Sequence, residues 1–518
     1  MSELRKPSPG LSPLNQSPLT RAIHGSDEYD HLSRFLPVAS DISVSTNFRF
    51  QPPSDLLDIR RRLGDFPSRS LSNNPVDRRS DVIGSISNSP AHSIRSSGQE
   101  IGSRVDPPNL YSYKRYSHPT LARTEKVLST ILNGEALVYS SGLSAAFAAL
   151  MAVNPDVIAI RDGYMGCHET IKKYCKLRGM GSRSSVEVRV IDLDDSYPPI
   201  ETGLKVLVWL ETPVNPTGEC RDIRAYARKV RECSVGSELL VDATLSPPPL
   251  ARPMNWADIT LYSGTKYFGG HSDLLCGILV VQKTNQTRWQ RLWEDRTYLG
   301  MIPGSLESWL MLRSIKTLQI RVIHQSDTAT RLANWLNSLT ERDYLSESDP
   351  DEKRRLVTRV WHSSFQDGGR WVGFDPKTKE PRQMVGGGSP CFAFMLERPI
   401  YSKWLPYCTE IFVPATSLGG VESLIQQQYQ SDPKADPRIV RLSIGLEDYD
   451  DLRNDLIKAF DKVIRVSDNS TSFRISKKKK KKLHQISTNH VAFLCMVFLI
   501  KHSSLSCYYL QYERHSKL

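Results

Sequence analysis

The chain predicts an α/β fold, with a large domain on a mostly parallel sheet and a smaller α/β domain toward the C-terminus. Three observations carry this expectation. From about 105 to 330, short and wholly apolar runs alternate with helical patterns, the arrangement of a parallel sheet covered on both faces. The turns after several of these runs gather serines, threonines, glycines and one aspartate, at the strand ends where such sheets build sites. A charged, Gly-rich stretch from 341 to 388 then separates this region from a second set of apolar and helical segments beginning at Cys391.

The elements follow in order. Residues 1–104 form an N-terminal arm rich in Ser, Pro, Asn and Arg, with repeated Ser-Pro steps, and such composition rarely packs a core. A short alternating piece at Ile42 to Phe50 is the part of the arm most suited to lying against another surface. The large domain spans 105–330. Ala136 to Tyr139, Val157 to Ile160, Val206 to Leu210, Leu239 to Val241 and Ile278 to Val281 read as buried strands, and Ser144 to Met151 and Asp222 to Cys233 as helices. Residues 331–390 are a linker helix and charged insertion. The small domain spans 391–466, with an apolar run at Val440 to Ile444 and a helix over Asp450 to Ile464. Residues 467–518 read as a basic, disordered tail.

Charge excludes one class of function. The chain carries a formal +12 over 518 residues, but Val466 to Leu518 holds ten Lys or Arg against two acids, a net of +8 that leaves only +4 for the rest. The body is mildly basic, which argues against nucleic-acid binding. The six lysines Lys477 to Lys482 permit a nuclear signal, yet a solvated tail is the simpler reading. Nine cysteines without paired spacing point to reduced thiols. The first residues contain no apolar stretch suited to a secretory signal, and Val491 to Ile500 is too short to span a bilayer. The expectation is a cytoplasmic protein with no membrane partner.

Three segments carry chemistry. Ser263-Gly264-Thr265-Lys266-Tyr267-Phe268-Gly269-Gly270-His271-Ser272-Asp273 follows the apolar stretch Ile259 to Tyr262. Most lysines are surface residues. Here two hydroxyls precede Lys266 and glycines allow close backbone approach, so the loop suits a phosphate and the amine suits covalent attachment to an aldehyde. In Leu240-Val241-Asp242-Ala243-Thr244 an acid ends a buried strand. It can cap a turn, or pair with a protonated ring nitrogen. Val138-Tyr139-Ser140-Ser141-Gly142-Leu143 leads from strand to helix start, where backbone amides are aimed at anions.

Together these segments resemble the trans-sulfuration enzymes of Cys/Met metabolism, the family of cystathionine γ-synthase, cystathionine β- and γ-lyases and methionine γ-lyase. The resemblance spans about residues 20 to 460. Further matching stretches are Tyr113 to Thr120, Glu211-Thr212-Pro213-Val214-Asn215-Pro216-Thr217, Ser417 to Leu424 and Arg441 to Gly445, while Gly163 to His168 looks like the fungal branch. The resemblance implies a type I aminotransferase-like fold, pyridoxal 5'-phosphate as cofactor and a small amino-acid substrate. It implies that Lys266 anchors the cofactor and moves protons, and that Tyr164 stacks on the ring and acts beside it. Gly142, Leu143, Ser263 and Thr265 would cradle the phosphate, and Asp242 would hold the ring nitrogen, with Asn215 and Thr244 beside the cofactor. Ser417 and Arg441 would take the substrate carboxylate. Tyr113 and Arg115 would reach the phosphate of a neighbouring subunit, in a homo-oligomer built as a dimer of dimers with shared active sites.

The sequence departs from the family pattern at two places. His118 stands where the family has Asn, and histidine retains a hydrogen-bond donor there. Thr416 stands where γ-synthases and γ-lyases carry a Glu, so the distal amino group of cystathionine loses that partner and substrate choice stays open. Cys167 is either a reactive thiol or a small packed side chain. His271 and Asp273 are too few ligands for a metal site. β-Elimination, γ-elimination and γ-replacement share their early steps, so the residues do not separate them. The alternative from another class is a catalytically degenerate member acting as a binding or regulatory protein.

Overall fold

The computed structural model describes residues 113–180, 187–341, 344–346 and 349–480. The N-terminal arm over 1–104, its Ile42 to Phe50 piece and the tail beyond Lys480 lie outside the described residues. The chain enters on helix α1 (Pro119–Leu132), then β1 (Glu135–Tyr139), α2 (Gly142–Val153), β2 (Val157–Ile160), α3 (Met165–Gly179) and β3 (Arg189–Ile191). It continues through β4 (Val206–Glu211), α4 (Ile223–Arg231), β5 (Glu238–Asp242), β6 (Ile259–Ser263) and β7 (Gly277–Val281).

These strands form one seven-stranded sheet in the order β1-β7-β6-β5-β4-β2-β3. The pairs β2–β3, β2–β4, β4–β5 and β5–β6 are parallel. β7 alone is reversed, antiparallel to both β6 and β1. The mostly parallel sheet expected from the apolar runs is therefore present. β4 is buried at every position because both faces are covered: Val206, Val208 and Leu210 face one core, and Leu207 and Trp209 face the other. α1 and α4 supply the first core with Leu121, Leu128 and Ile223, while α2 and α3 supply the second with Leu150 and Ile171. A strand buried on both sides shows no alternation, which is why these runs were legible as parallel strands.

After β7 come α5 (Gln286–Tyr298), α6 (Ser305–Ile315) and the long α7 (Leu318–Ser338). α7 ties the two domains together. Leu318 and Val322 near its start sit in the first large core, and Leu332 and Leu336 near its end sit in the core of the small domain. A hairpin of β8 (Tyr344–Ser346) and β9 (Asp349–Arg354) precedes β10 (Val357–Trp361), β11 (Cys391–Leu396), α8 (Pro399–Trp404), β12 (Val413–Pro414), β13 (Leu424–Gln427), β14 (Ile439–Ser443) and α9 (Tyr449–Lys480).

The second sheet has the order β10-β11-β14-β13-β12, antiparallel except for β12–β13. Two boundaries differ from the sequence expectation. β10 falls inside the stretch 331–390 read as linker and insertion, yet it pairs with β11; the burial of Leu356, Val357 and Val360 against α7 makes it part of the small domain. α9 runs on to Lys480 although 467–518 read as disordered. Neither Gly nor Pro interrupts residues 466–480, so nothing stops the helix there. Among the described residues no helix is long and apolar enough to cross a membrane.

Candidate active site

The parallel strands end on one side of the large sheet, and the residues singled out above, Tyr113 and Arg115 apart, collect there. β1 runs into Ser140-Ser141 and the start of α2. Ser141 caps this helix by accepting the amide of Ser144 at 3.0 Å, and the Ser144 hydroxyl accepts the Ser141 amide at 2.9 Å. Gly142 and Leu143 are the first two helical residues, whose amides have no partner within the helix and carry its positive end. Gly142 lies against Ser263 at the end of β6: a Cβ added there would stand 3.3 Å from the Ser263 hydroxyl. Thr265 is fixed two residues on, its hydroxyl accepting the Cys276 amide at 3.0 Å. Helix-start amides beside hydroxyls form a cradle suited to a phosphate.

Asp242 ends β5 and is 5% exposed. The Thr244 hydroxyl donates to its Oδ1 at 2.6 Å and accepts the Ser263 amide at 2.9 Å, so this threonine ties the ends of β5 and β6. Burial pushes the Asp242 carboxyl above its usual range. Opposite it in register on β4 stands Glu211. Its carboxyl is pushed up to about 8, first by burial and then by the Asp242 charge. A cationic ring N–H beside Asp242 would relieve this pair of buried acids.

Lys266 follows in a tight turn, its amide donating to Ser263 O at 3.1 Å while its carbonyl accepts the Gly270 amide at 2.7 Å. Its Nζ donates to Ser417 Oγ at 2.8 Å. Burial, and then the nearby Arg441 guanidinium, lower the Lys266 pKa. The Ser417-Leu418-Gly419 segment crosses directly over this turn. Ser417 (φ 84°) and Gly419 (φ 80°) both take left-handed backbone, and a Cβ at Gly419 would meet the Tyr267 amide at 2.8 Å. Serine in that conformation is strained and is held by its surroundings.

Arg441, on β14, is 7% exposed. It donates to Asn215 Oδ1 at 3.0 Å, Ser417 O at 2.8 Å and Gln426 Oε1 at 2.8 Å. The fork is thus oriented before any carboxylate arrives. Asn215 lies in the loop after β4, where the Thr212–Pro213 and Asn215–Pro216 peptides are cis. Tyr164 caps α3 with its ring half exposed.

Tyr113 and Arg115 are not brought into this cluster. Arg115 donates to Thr297 O at 3.3 Å and lies over the Tyr113 and Tyr116 rings. His118 is the N-cap of α1: its Nδ1 accepts the Leu121 amide at 3.3 Å, which leaves Nε2 as the donor, and burial holds the ring neutral with a pKa of about 4. Cys167 is buried with its thiol pushed far up by burial, so of its two readings the packed side chain holds. Thr416 is exposed beside Ser417.

Sequence reading passed over four supporting residues. Glu211 closes a fully buried strand with a charge, the same signal that marks Asp242. Gln426 faces Arg441 across β13–β14. Gln366 bonds both the amide and the carbonyl of Cys220, at 2.6 and 3.0 Å, and Gln383 bonds the Ile223 amide and Arg221 carbonyl, at 3.0 and 2.9 Å. The stretch read as a charged insertion therefore braces the segment that carries Asn215, and no local pattern announces such contacts.

The acid pair sets a pH dependence for the ligand-free protein. A carboxyl raised by folding stabilises the fold while protonated, and that stability is lost as pH rises toward its folded pKa. From about pH 6.5, above the range in which the depressed His118 and the fully buried His362, lowered likewise to about 4 by burial, contribute, to about pH 8, the melting temperature should fall. Asp242→Asn, which removes the charge facing Glu211, should flatten that decline. Melting curves across this range decide it, and equal slopes in the two proteins would refute the assignment.

The site's donor set fits a phosphorylated pyridine aldehyde: amides and hydroxyls for the phosphate, a buried acid for the ring nitrogen and an amine of lowered pKa. Comparison with known proteins agrees. The sequence profile of the family described as Cys/Met metabolism PLP-dependent enzyme matches residues 71–461. Cystathionine gamma-lyase of Saccharomyces cerevisiae is 30% identical over 402 residues, covering 74% of this chain and 94% of its own length. Cystathionine gamma-synthase of Mycobacterium tuberculosis is 32% identical over 369 residues, covering 67% and 86%. The crystal structure of the yeast cystathionine gamma-lyase superposes with a TM-score of 0.63 at 24% identity, over 87% of this chain and 99% of that one, and so has the same fold. The profile match over residues 71–461 and the 30% identity to a relative covered over 94% of its length make the chain a member of the Cys/Met-metabolism family of pyridoxal-phosphate-dependent enzymes.

Proposed function

We propose that this enzyme performs trans-sulfuration on cystathionine, either cleaving it by β- or γ-elimination or forming it by γ-replacement. The observation that carries this is the Lys266–Ser417–Arg441 arrangement, a proton-transfer amine set beside an oriented carboxylate fork. The relatives named above are a gamma-lyase and a gamma-synthase, and cystathionine beta-lyase of Bacillus subtilis is 28% identical over 375 residues.

In this reading Gly142, Leu143, Ser263 and Thr265 hold the phosphate. Asp242 holds the ring nitrogen, Asn215 and Thr244 flank the ring, and the Tyr164 ring covers it. Pyridoxal phosphate supplies an electron sink for the substrate's α-carbon. Arg441 and Ser417 take the substrate carboxylate and fix which bond faces Lys266. The Lys266 amine, once free, accepts the α-proton and returns a proton further along the substrate. Its depressed pKa leaves more of it unprotonated near neutrality. Tyr164 stands at the half-exposed side of the cluster, open to solvent.

Tyr113 and Arg115 then serve the phosphate of a neighbouring subunit's site, in a homotetramer of paired dimers. Their separation from their own chain's cluster supports this, as do the exposed Tyr298, Leu299 and Leu306 nearby in sequence to Thr297. The seven described cysteines are free thiols, which suits the cytoplasm.

Incubation with cystathionine tests the reading. Pyruvate with homocysteine means β-elimination, and 2-oxobutyrate with cysteine means γ-elimination. Cystathionine formed from cysteine and an activated homoserine means γ-replacement. The cofactor-loaded protein should give one of these; turnover of none would refute trans-sulfuration.

A further inference from the structure

Glu211 occupies a place that the roles above leave unexplained. It ends β4, is buried at 5% exposure, and lies between two loops that both enter the site. Its Oε2 accepts the Tyr164 amide at 2.8 Å, from the loop after β2. Its Oε1 accepts the Asn215 amide at 2.7 Å, from the loop after β4. The first loop turns through two left-handed residues, Asp162 (φ 49°) and Gly163 (φ 86°). The Glu211 carboxylate fills the space a Cβ on Gly163 would need. Asn215 in turn accepts a bond from Arg441 of the small domain at 3.0 Å.

One buried carboxyl therefore joins the backbone that carries the Tyr164 ring to the backbone of Asn215, whose side chain meets the Arg441 guanidinium. A buried acid is costly to keep unless its oxygens are used, and here, once a cation beside Asp242 offsets the charge that, after burial, raises it, each oxygen of the ionised carboxyl takes one amide from a different loop. A neutral isostere offers only one acceptor oxygen and turns N–H groups toward the other amide.

We propose that Glu211 is a positioning residue that sets Tyr164 and Asn215 together, and through Asn215 the Arg441 fork. This rests on the roles proposed above for those three residues. It gives the enzyme a single point at which cofactor grip and substrate grip are coupled.

Two double-mutant cycles test it. In the first, pyridoxal phosphate is titrated into the cofactor-free protein. Glu211→Gln should raise its Kd about tenfold, and should have an effect within about twofold of none once Tyr164→Ala has removed the ring. In the second, Glu211→Gln should raise the KM for the amino-acid substrate about tenfold, but add nothing beyond about twofold to Asn215→Ala. A general loss of structure would act equally in both backgrounds. Additive effects in either cycle, or Glu211→Gln values within about twofold of wild type, overturn the proposal. Should Glu211→Gln not fold, Glu211→Asp, which is too short to reach both amides, is taken through the same cycles. If the wild-type enzyme turns over no cystathionine-related substrate, the functional reading fails, while the cofactor cycle still judges Glu211.

Discussion

Lys266→Ala is expected to lower kcat/KM by about 10³-fold or more, and to remove the visible absorbance of covalently held cofactor. Two losses combine. The amine that anchors the cofactor disappears, and so does the base set by Ser417 Oγ at 2.8 Å. The fold should survive, because the turn at 263–270 is held by backbone bonds such as Gly269 to Gly264 O at 2.8 Å and by the buried Arg321, which donates to Tyr267 O at 2.8 Å. Melting temperature and absorption spectrum, measured on the same sample, separate a lost amine from a lost fold. An unchanged visible band in Lys266→Ala would remove this residue from the centre of the site.

The second large effect is at Arg441. Its guanidinium is held at once by Asn215, Ser417 and Gln426. A lysine keeps the charge but offers a point donor in place of the planar fork. Arg441→Lys is therefore expected to raise the KM about 10²-fold with a smaller loss in kcat, since carboxylate binding is shared by ground and transition states. The pH profile gives an independent check. Burial is the larger cause of the lowered Lys266 pKa and the Arg441 charge the next. Arg441→Gln removes that charge, so the pKa of the Lys266 amine freed in the substrate complex rises and the ascending limb of kcat moves to higher pH. Arg441→Lys leaves the limb in place. A limb that stays fixed in Arg441→Gln would mean that the two groups are not coupled.

Much of the site was legible because its residues sit in turns directly after buried strands. Asp242 closes β5, Ser263 closes β6 and Gly142 opens the helix after β1. An uninterrupted apolar run that stops at an acid or hydroxyl announces both the strand and its functional end. The supporting contacts were not legible, because they join distant parts of the chain. Tyr164 and Glu211 are 47 residues apart, and Arg441 and Asn215 are 226 apart. The small domain was blurred for a related reason. β13 is Leu-Ile-Gln-Gln, buried throughout, and its polar half is satisfied only by partners such as Arg441, Ser431 and Pro437 O.

By itself the sequence determined the parallel sheet, its site-bearing ends and the chemical types gathered there, since these follow from local runs of side chains and the backbone geometry they impose. Only the tertiary structure decided that β7 is reversed, that residues 357–361 belong to the second sheet and that Cys167 is buried. It alone set Ser417 over Lys266 and Glu211 between two loops. Burial, desolvation and the angle of each hydrogen bond are properties of assembled elements, and no single segment of the chain contains them.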